Sequence, residues 1–148
     1  MSGSNSGFWK VVLPLVVGGI LLVVLVLVLR PVARTGAVAY AQVNLRRAAE
    51  AAEDLATEGS LADADRETLA AGGGVDDLLL IDPDQSSNDP EVVSVLATRS
   101  AWTGSARAET GECFWIRVAA SGGTVYGTGT DCSADEAGAA APGAWPEP

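Results

Sequence analysis

The stretch CFWIRVAASGGTVYGTGTDC, residues 113–132, holds both cysteines of the chain and decides how its second half is read. Gly122-Gly123 lies between two strand-like runs and can supply the positive φ angles of a two-residue hairpin turn. With those glycines as the central pair, Ser121 faces Thr124, Ala120 faces Val125, Ala119 faces Tyr126, and the ninth pair sets Cys113 opposite Cys132. Directly opposed strand residues lie about 4.5–5.5 Å apart at Cα, inside the range a disulfide bridges. The expectation is therefore a Cys113–Cys132 disulfide across a hairpin. The same register sends Phe114, Ile116, Val118 and Val125 to the core face, with Trp115, Arg117 and Tyr126 on the cysteine face.

Working outward, strand periodicity is expected at Leu78–Ile81, Glu91–Thr98, 101–108, Cys113–Ala119 and Thr124–Thr130. Upstream the period changes to that of a helix. Val38, Ala41, Leu45, Ala48, Ala52 and Leu55 recur at alternating three- and four-residue spacing, which draws one narrow apolar stripe. Most of the stripe is alanine, so whatever packs on it approaches closely. Gly59 ends that helix. Ser60 with Asp63 three residues later signals a short helix start, and Gly72-Gly73-Gly74 closes that segment. After Ser133 the chain is rich in Ala, Gly and Pro and reads as a tail without regular structure.

Nearer the amino terminus, Val11–Leu29 is nineteen residues without a charge, bounded by Lys10 and Arg30. As a helix it would span about 30 Å, the thickness of a bilayer's hydrocarbon core. A cleavable signal peptide has a shorter apolar region, about 7–15 residues, and a small-x-small site. Ala39-Tyr40-Ala41 is such a triplet, but it lies well past the run, so a retained transmembrane helix is the expectation. Residues 30–36 (RPVARTG) hold a Pro and a Gly that would kink or briefly break the helix.

The chain has 148 residues, enough for one small domain after the apolar run, and a net charge of −10. Such acidity argues against nucleic acid as a partner, which calls for clustered Lys and Arg. There is no histidine, so the commonest general base and metal ligand are missing. Arg30, Arg34, Arg46 and Arg47 follow the apolar run, which by the positive-inside rule favours a cytoplasmic carboxyl terminus. The cysteine pair favours the opposite side, because disulfides persist outside the reducing cytosol. An extracytoplasmic carboxyl-terminal domain is the expectation.

These features together resemble the type IV pilins and pilin-like proteins (pseudopilins) of high-GC Gram-positive bacteria. The stretches that carry the resemblance are Val11–Leu29, the helix Val38–Thr57, and the segments from Gly111 to Ile116 and from Tyr126 to Cys132. The resemblance implies prepilin peptidase cleavage at Gly7-Phe8 and lateral packing of the N-terminal helix on other subunits. The family's usual glutamate at the fifth mature position falls on Val12.

Other candidates for chemistry are few. Asp82, Asp84, Ser86 and Asn88 place oxygens at alternate positions, as a calcium loop would, although an EF-hand needs Gly at its sixth and Glu at its twelfth position, where Ser87 and Val93 stand. A solvated turn is the simpler reading, and no cofactor is expected. Asp76-Asp77 and Asp63-x-Asp65 are carboxylate pairs without a nucleophile or base beside them. Trp102, Trp115, Tyr126 and Trp145 could stack a ligand, but aromatics on a small sheet are commonly packing.

The expected fold class is α+β: a long N-terminal helix, its first half transmembrane, packed on a small antiparallel sheet of about four strands. The expected organisation is a polar segment 1–10, a transmembrane helix 11–29, an amphipathic helix 30–60, a sheet domain 61–132 and a tail 133–148. The expected function is non-enzymatic, a membrane-anchored pilin-like structural or assembly subunit of a type IV pilus or related secretion filament. Helix packing would use Gly18, Gly19 and the Val38–Leu55 stripe, and the partners would be the lipid bilayer and other pilin-like subunits. The alternative is a single-pass membrane protein displaying a non-polymerising extracytoplasmic binding domain.

Overall fold

The computed structural model describes the backbone of residues 6–145 and the side chains of residues 16–25, 36–57 and 59–145. The chain divides into two units, Met1–Thr35 and Gly36–Pro148. Helix α1 is assigned from Ser6 to Glu58, through both units. The break expected at residues 30–36 is not present in that assignment. A helix continues past a proline when only the local backbone bonds are lost and the flanking turns hold.

In the first unit, the described apolar side chains of the Val11–Leu29 run are exposed, from 48% at Val17 to 65% at Leu21 and Leu22. Among the described residues no helix is long and apolar enough to cross a membrane. The described part of the run, residues 16–25, amounts to about 15 Å of helix, half of the roughly 30 Å a span requires. The expectation that the first half of the helix is transmembrane is corrected accordingly. The remaining residues of the run lie outside the described side chains.

The second unit is built on one five-stranded sheet in the order β1-β2-β3-β4-β5. Its strands are β1 (Leu79–Ile81), β2 (Val92–Ala97), β3 (Ala101–Arg107), β4 (Cys113–Ala119) and β5 (Thr124–Gly129). The strand positions match the periodicity, but the sheet is mixed, not antiparallel: β1 runs parallel to β2, with Leu80 beside Val93. The connection over residues 82–91 carries the chain back to the same end, which a hairpin cannot do.

The α1 stripe covers one face of this sheet. Ala41, Leu45, Ala48 and Ala52 are fully buried, and Val38 and Leu55 pack at the margins of the same core. Across the sheet Val95, Gly104, Ile116 and Tyr126 form one row beneath them. Leu45 and the Trp102 ring both close over Gly104, where a Cβ would collide with the indole. Alanine on the helix and glycine in the sheet let the two layers meet with a tryptophan between them. The buried Trp102 Nε1 donates to the carbonyl of Ala64, so its polar atom is satisfied.

Between α1 and the sheet, Ser60 caps a 3-10 turn, Leu61–Asp63, through a capping box with Asp63. Helix α2 (Arg66–Gly72) follows, capped by Asp65. The start expected at Ser60 is thus a single tight turn, and the helix proper begins at a second cap.

The opposite face of the sheet carries Ser94, Thr103, Ser105 and Trp115, all buried. Helix α3 (Ala134–Ala139), capped by Ser133, covers it. The expected unstructured tail is therefore corrected: residues 133–140 form a lid whose alanines fit a polar, small-residue face. Ser94 Oγ accepts from Ala134 N at 2.9 Å, and Arg117 donates to the carbonyls of Ala137 and Ala140 at the end of α3. A cation at a helix C-terminus complements the carbonyls left unpaired there.

Candidate functional site

The hairpin that joins the cysteines differs from its expected register by three residues. Cys113 stands opposite Gly129, and Val118 opposite Thr124. The loop is longer than two residues: Gly122 N donates to Ala119 O, and Ala119 N donates to Gly123 O. Gly122 and Gly123 have φ of 86° and 100°, so both glycines serve, but at the end of the turn and not at its centre. An odd shift turns every β5 side chain to the other face. Tyr126 consequently packs against the α1-side core, whereas Val125 shares the face of Arg117.

The Cys113–Cys132 disulfide forms nonetheless, with Cα atoms 5.0 Å apart. It does so by a different route. Residues 130–132 leave the strand, and Cys132 turns back with a left-handed φ of 54°. Glu136 holds that turn: its carboxylate accepts from the Thr130 hydroxyl at 2.7 Å and from Asp131 N at 2.7 Å. The Thr130 hydroxyl and the backbone amides of Asp131 and Thr130 hold the Glu136 carboxyl below its ordinary value. Ser87 N donates to the carbonyl of Cys132, and Ser87 Oγ donates to Val92 O and accepts from Arg107 N. The disulfide, the β1–β2 connection and α3 thus form one closed junction. Sequence reasoning missed Glu136, although Ser133-x-x-Glu136 is a helix-start signature in the middle of an alanine-rich stretch.

Three of the four carboxylate candidates have structural occupations, and Asp76 is exposed. Asp63 accepts from Ser60 N, and Asp65 from Thr68 N, which holds the Asp65 carboxyl below its usual range. Asp77 receives a bidentate bond from Arg47 at 2.6 and 2.8 Å, and Arg47 also donates to Gly74 O. That pairing lowers the Asp77 carboxyl and raises the Arg47 guanidinium. A cleft of about 420 Å³ lies beside it, lined by Glu50, Asp54, Leu69 and the Gly72–Gly74 turn. Nothing in it combines a nucleophile with a base.

The calcium-loop residues do not converge. The Asp82 carboxylate accepts from Arg66 at 3.0 Å, and the Ser86 hydroxyl donates to Asp131 at 2.6 Å. Asp84 and Asn88 are exposed. Among the described residues no group of three or more His, Cys, Asp or Glu is placed to hold a metal ion.

The four aromatics divide between the two faces. Trp102 and Trp115 are buried on opposite sides, which leaves them no shared stacking surface. Tyr126 and Trp145 meet edge to face at 4.7 Å between centroids. Of the helix-packing residues, the Ala41–Ala52 stripe is consumed by the chain's own sheet. Gly18 and Gly19 are open, since a Cβ on either would meet nothing within 4 Å. The candidate cleavage pair Gly7 and Phe8 has its side chains outside the described residues. Compared with protein-family models, with curated proteins and with solved structures, the chain matches none.

Proposed function

We propose that this chain is a pilin-like structural subunit that assembles with other such subunits through the N-terminal part of α1. The observation that carries the reading is the contrast along that helix. Its Ala41–Ala52 stripe is buried by the sheet domain, while Val16–Leu25 presents exposed apolar side chains with two adjacent glycines among them. Exposed apolar surface of that extent calls for cover, and small residues let helices approach closely. The buried disulfide supports an extracytoplasmic place for the sheet domain.

The test is Leu21→Cys in the full chain, oxidised in intact cells. Disulfide-linked dimers through residue 21 are the expected result, since Cys113 and Cys132 are already paired and each chain offers one thiol. A chain that stays monomeric overturns the reading in favour of a non-polymerising binding domain. Mass spectrometry of the extracted protein adds a second readout: a pilin-like subunit processed at Gly7-Phe8 begins at Phe8, and an intact leader counts against it.

A further inference from the structure

The β2–β3 hairpin ends in a two-residue tip, Arg99-Ser100, and both residues are exposed. The tip is held from two sides. Thr98 N donates to Ala101 O at 2.9 Å, Thr98 Oγ1 accepts from Ala101 N at 3.0 Å, and Ala120 N donates to Ser100 O at 2.9 Å. A braced turn presents its side chain without a loop-ordering cost on binding. Among the described residues, Arg99 is also the one arginine whose guanidinium has no partner. Arg46 lies over Trp145, Arg47 and Arg66 hold Asp77 and Asp82, and Arg107 and Arg117 donate to backbone carbonyls.

The cleft between α1 and the Gly72–Gly74 turn has the opposite character. Ala51, Leu55 and Leu69 give it apolar walls, and Glu50 and Asp54 line it from one face of α1. Neither carboxylate joins an ion pair among the described residues, and the neighbouring cation, Arg47, is taken bidentately by Asp77. The turn itself closes α2, a seven-residue helix whose last carbonyls have no partner within it and favour a cation. Walls that suit an aliphatic stem and acceptors that suit several N–H donors together describe an arginine side chain.

We propose that Arg99 at the hairpin tip of one copy enters the Glu50–Asp54 cleft of a second copy of the chain. Within its own chain Arg99 stands away from this cleft. The Gly72–Gly74 turn leads into β1 beside Val92, at the start of β2, whereas Arg99 lies past Ala97 at the end of that strand, roughly 17 Å further on. The two surfaces differ, so the contact is head-to-tail and repeats along a row of copies. It rests on the reading that copies assemble, and adds to it a named pair of surfaces beyond the N-terminal part of α1.

The test is cross-linking in intact cells between two full-length copies with different tags, one carrying Ser100→Cys and the other Glu53→Cys. Both positions are exposed and lie beside the proposed contact without removing its charges, and the native cysteines are already paired. A mixed dimer is the expected product on oxidation with diamide. Adding Arg99→Glu to the Ser100→Cys copy should lower its yield at least about tenfold, and adding Glu50→Arg with Asp54→Arg to the other copy should restore it. No mixed dimer, a yield unchanged by Arg99→Glu, no recovery in the reversed pair, or equal dimerisation of the Ser100→Cys copy with itself would each overturn the inference. Leu21→Cys dimers that form while the 53–100 bond does not would overturn this contact and leave assembly through α1 standing. If neither bond forms, both readings fall.

Discussion

The indole of Trp115 lies flat on Gly127, the residue directly opposite it in β5, so closely that a Cβ on Gly127 would overlap the ring. Trp115 Nε1 donates to the carbonyl of the next residue, Thr128, at 3.1 Å, and Arg117 caps the ring from 5.1 Å. A glycine here is a packing requirement and not a turn residue. Gly127→Ala is expected to cost about 1–3 kcal/mol by forcing the indole out of its place. Gly36→Ala, where a Cβ meets nothing within 4 Å, should be neutral or stabilise α1 by up to about 1 kcal/mol. Urea unfolding of both variants checks the pair, and equal destabilisation would contradict the account.

Reduction, or replacement of Cys113 and Cys132 by serine, should lower stability by about 3 kcal/mol, since the bond closes a loop with a sequence separation of 19. The loss should appear first around Ser87 and the turn before α3, because Cys132 O accepts from Ser87 N. Denaturant melts with and without reductant measure the size, and amide exchange locates it.

The Glu136 carboxyl is held below its ordinary value of 4.5 by the Thr130 hydroxyl and the amides of Asp131 and Thr130. A carboxylate with a depressed folded pKa stabilises fully above the unfolded value, and that contribution fades as pH falls through the folded one. Wild type should therefore exceed Glu136→Gln in Tm at pH 7, and the gap should close on acidification below about 4.5. A gap that does not change with pH would remove the carboxylate's assigned role.

Ala48 has no exposed surface and belongs to the stripe against the sheet. Ala48→Leu should destabilise by about 1–3 kcal/mol through overpacking, and Leu45→Ala by about 2–5 kcal/mol through a cavity beside Gly104. Thermal or urea unfolding checks both. A stripe serving chiefly as a surface for other subunits would tolerate both changes in the isolated chain.

Local pattern was enough for the second half of α1 and for the strand positions, but not for α3, which was expected to be a tail without regular structure. The period of Val38–Leu55 marks a helix face, a short apolar run marks β1, strand-like runs mark the other strands, and Gly59 marks the end of α1, because these depend on neighbours within one turn or one pleat. The cysteine pair was legible too, yet through a register the structure does not use. Gly122-Gly123 satisfies either a two-residue or a longer loop, and no local rule separates them. What separates them is across-strand packing: only the observed register lays Gly127 under Trp115 and turns Tyr126 toward the core.

By itself, the sequence of this protein determined an amphipathic helix, the positions of five strand-like runs in what was expected to be a sheet of about four, and one crosslink. The parallel entry of β1, the sliding of β5 by three residues, and the covering of a serine- and threonine-lined face by an alanine-rich C-terminal helix were decided only in three dimensions. Each depends on how large rings, small residues and buried hydroxyls find partners far apart in the chain. No window of sequence contains both partners.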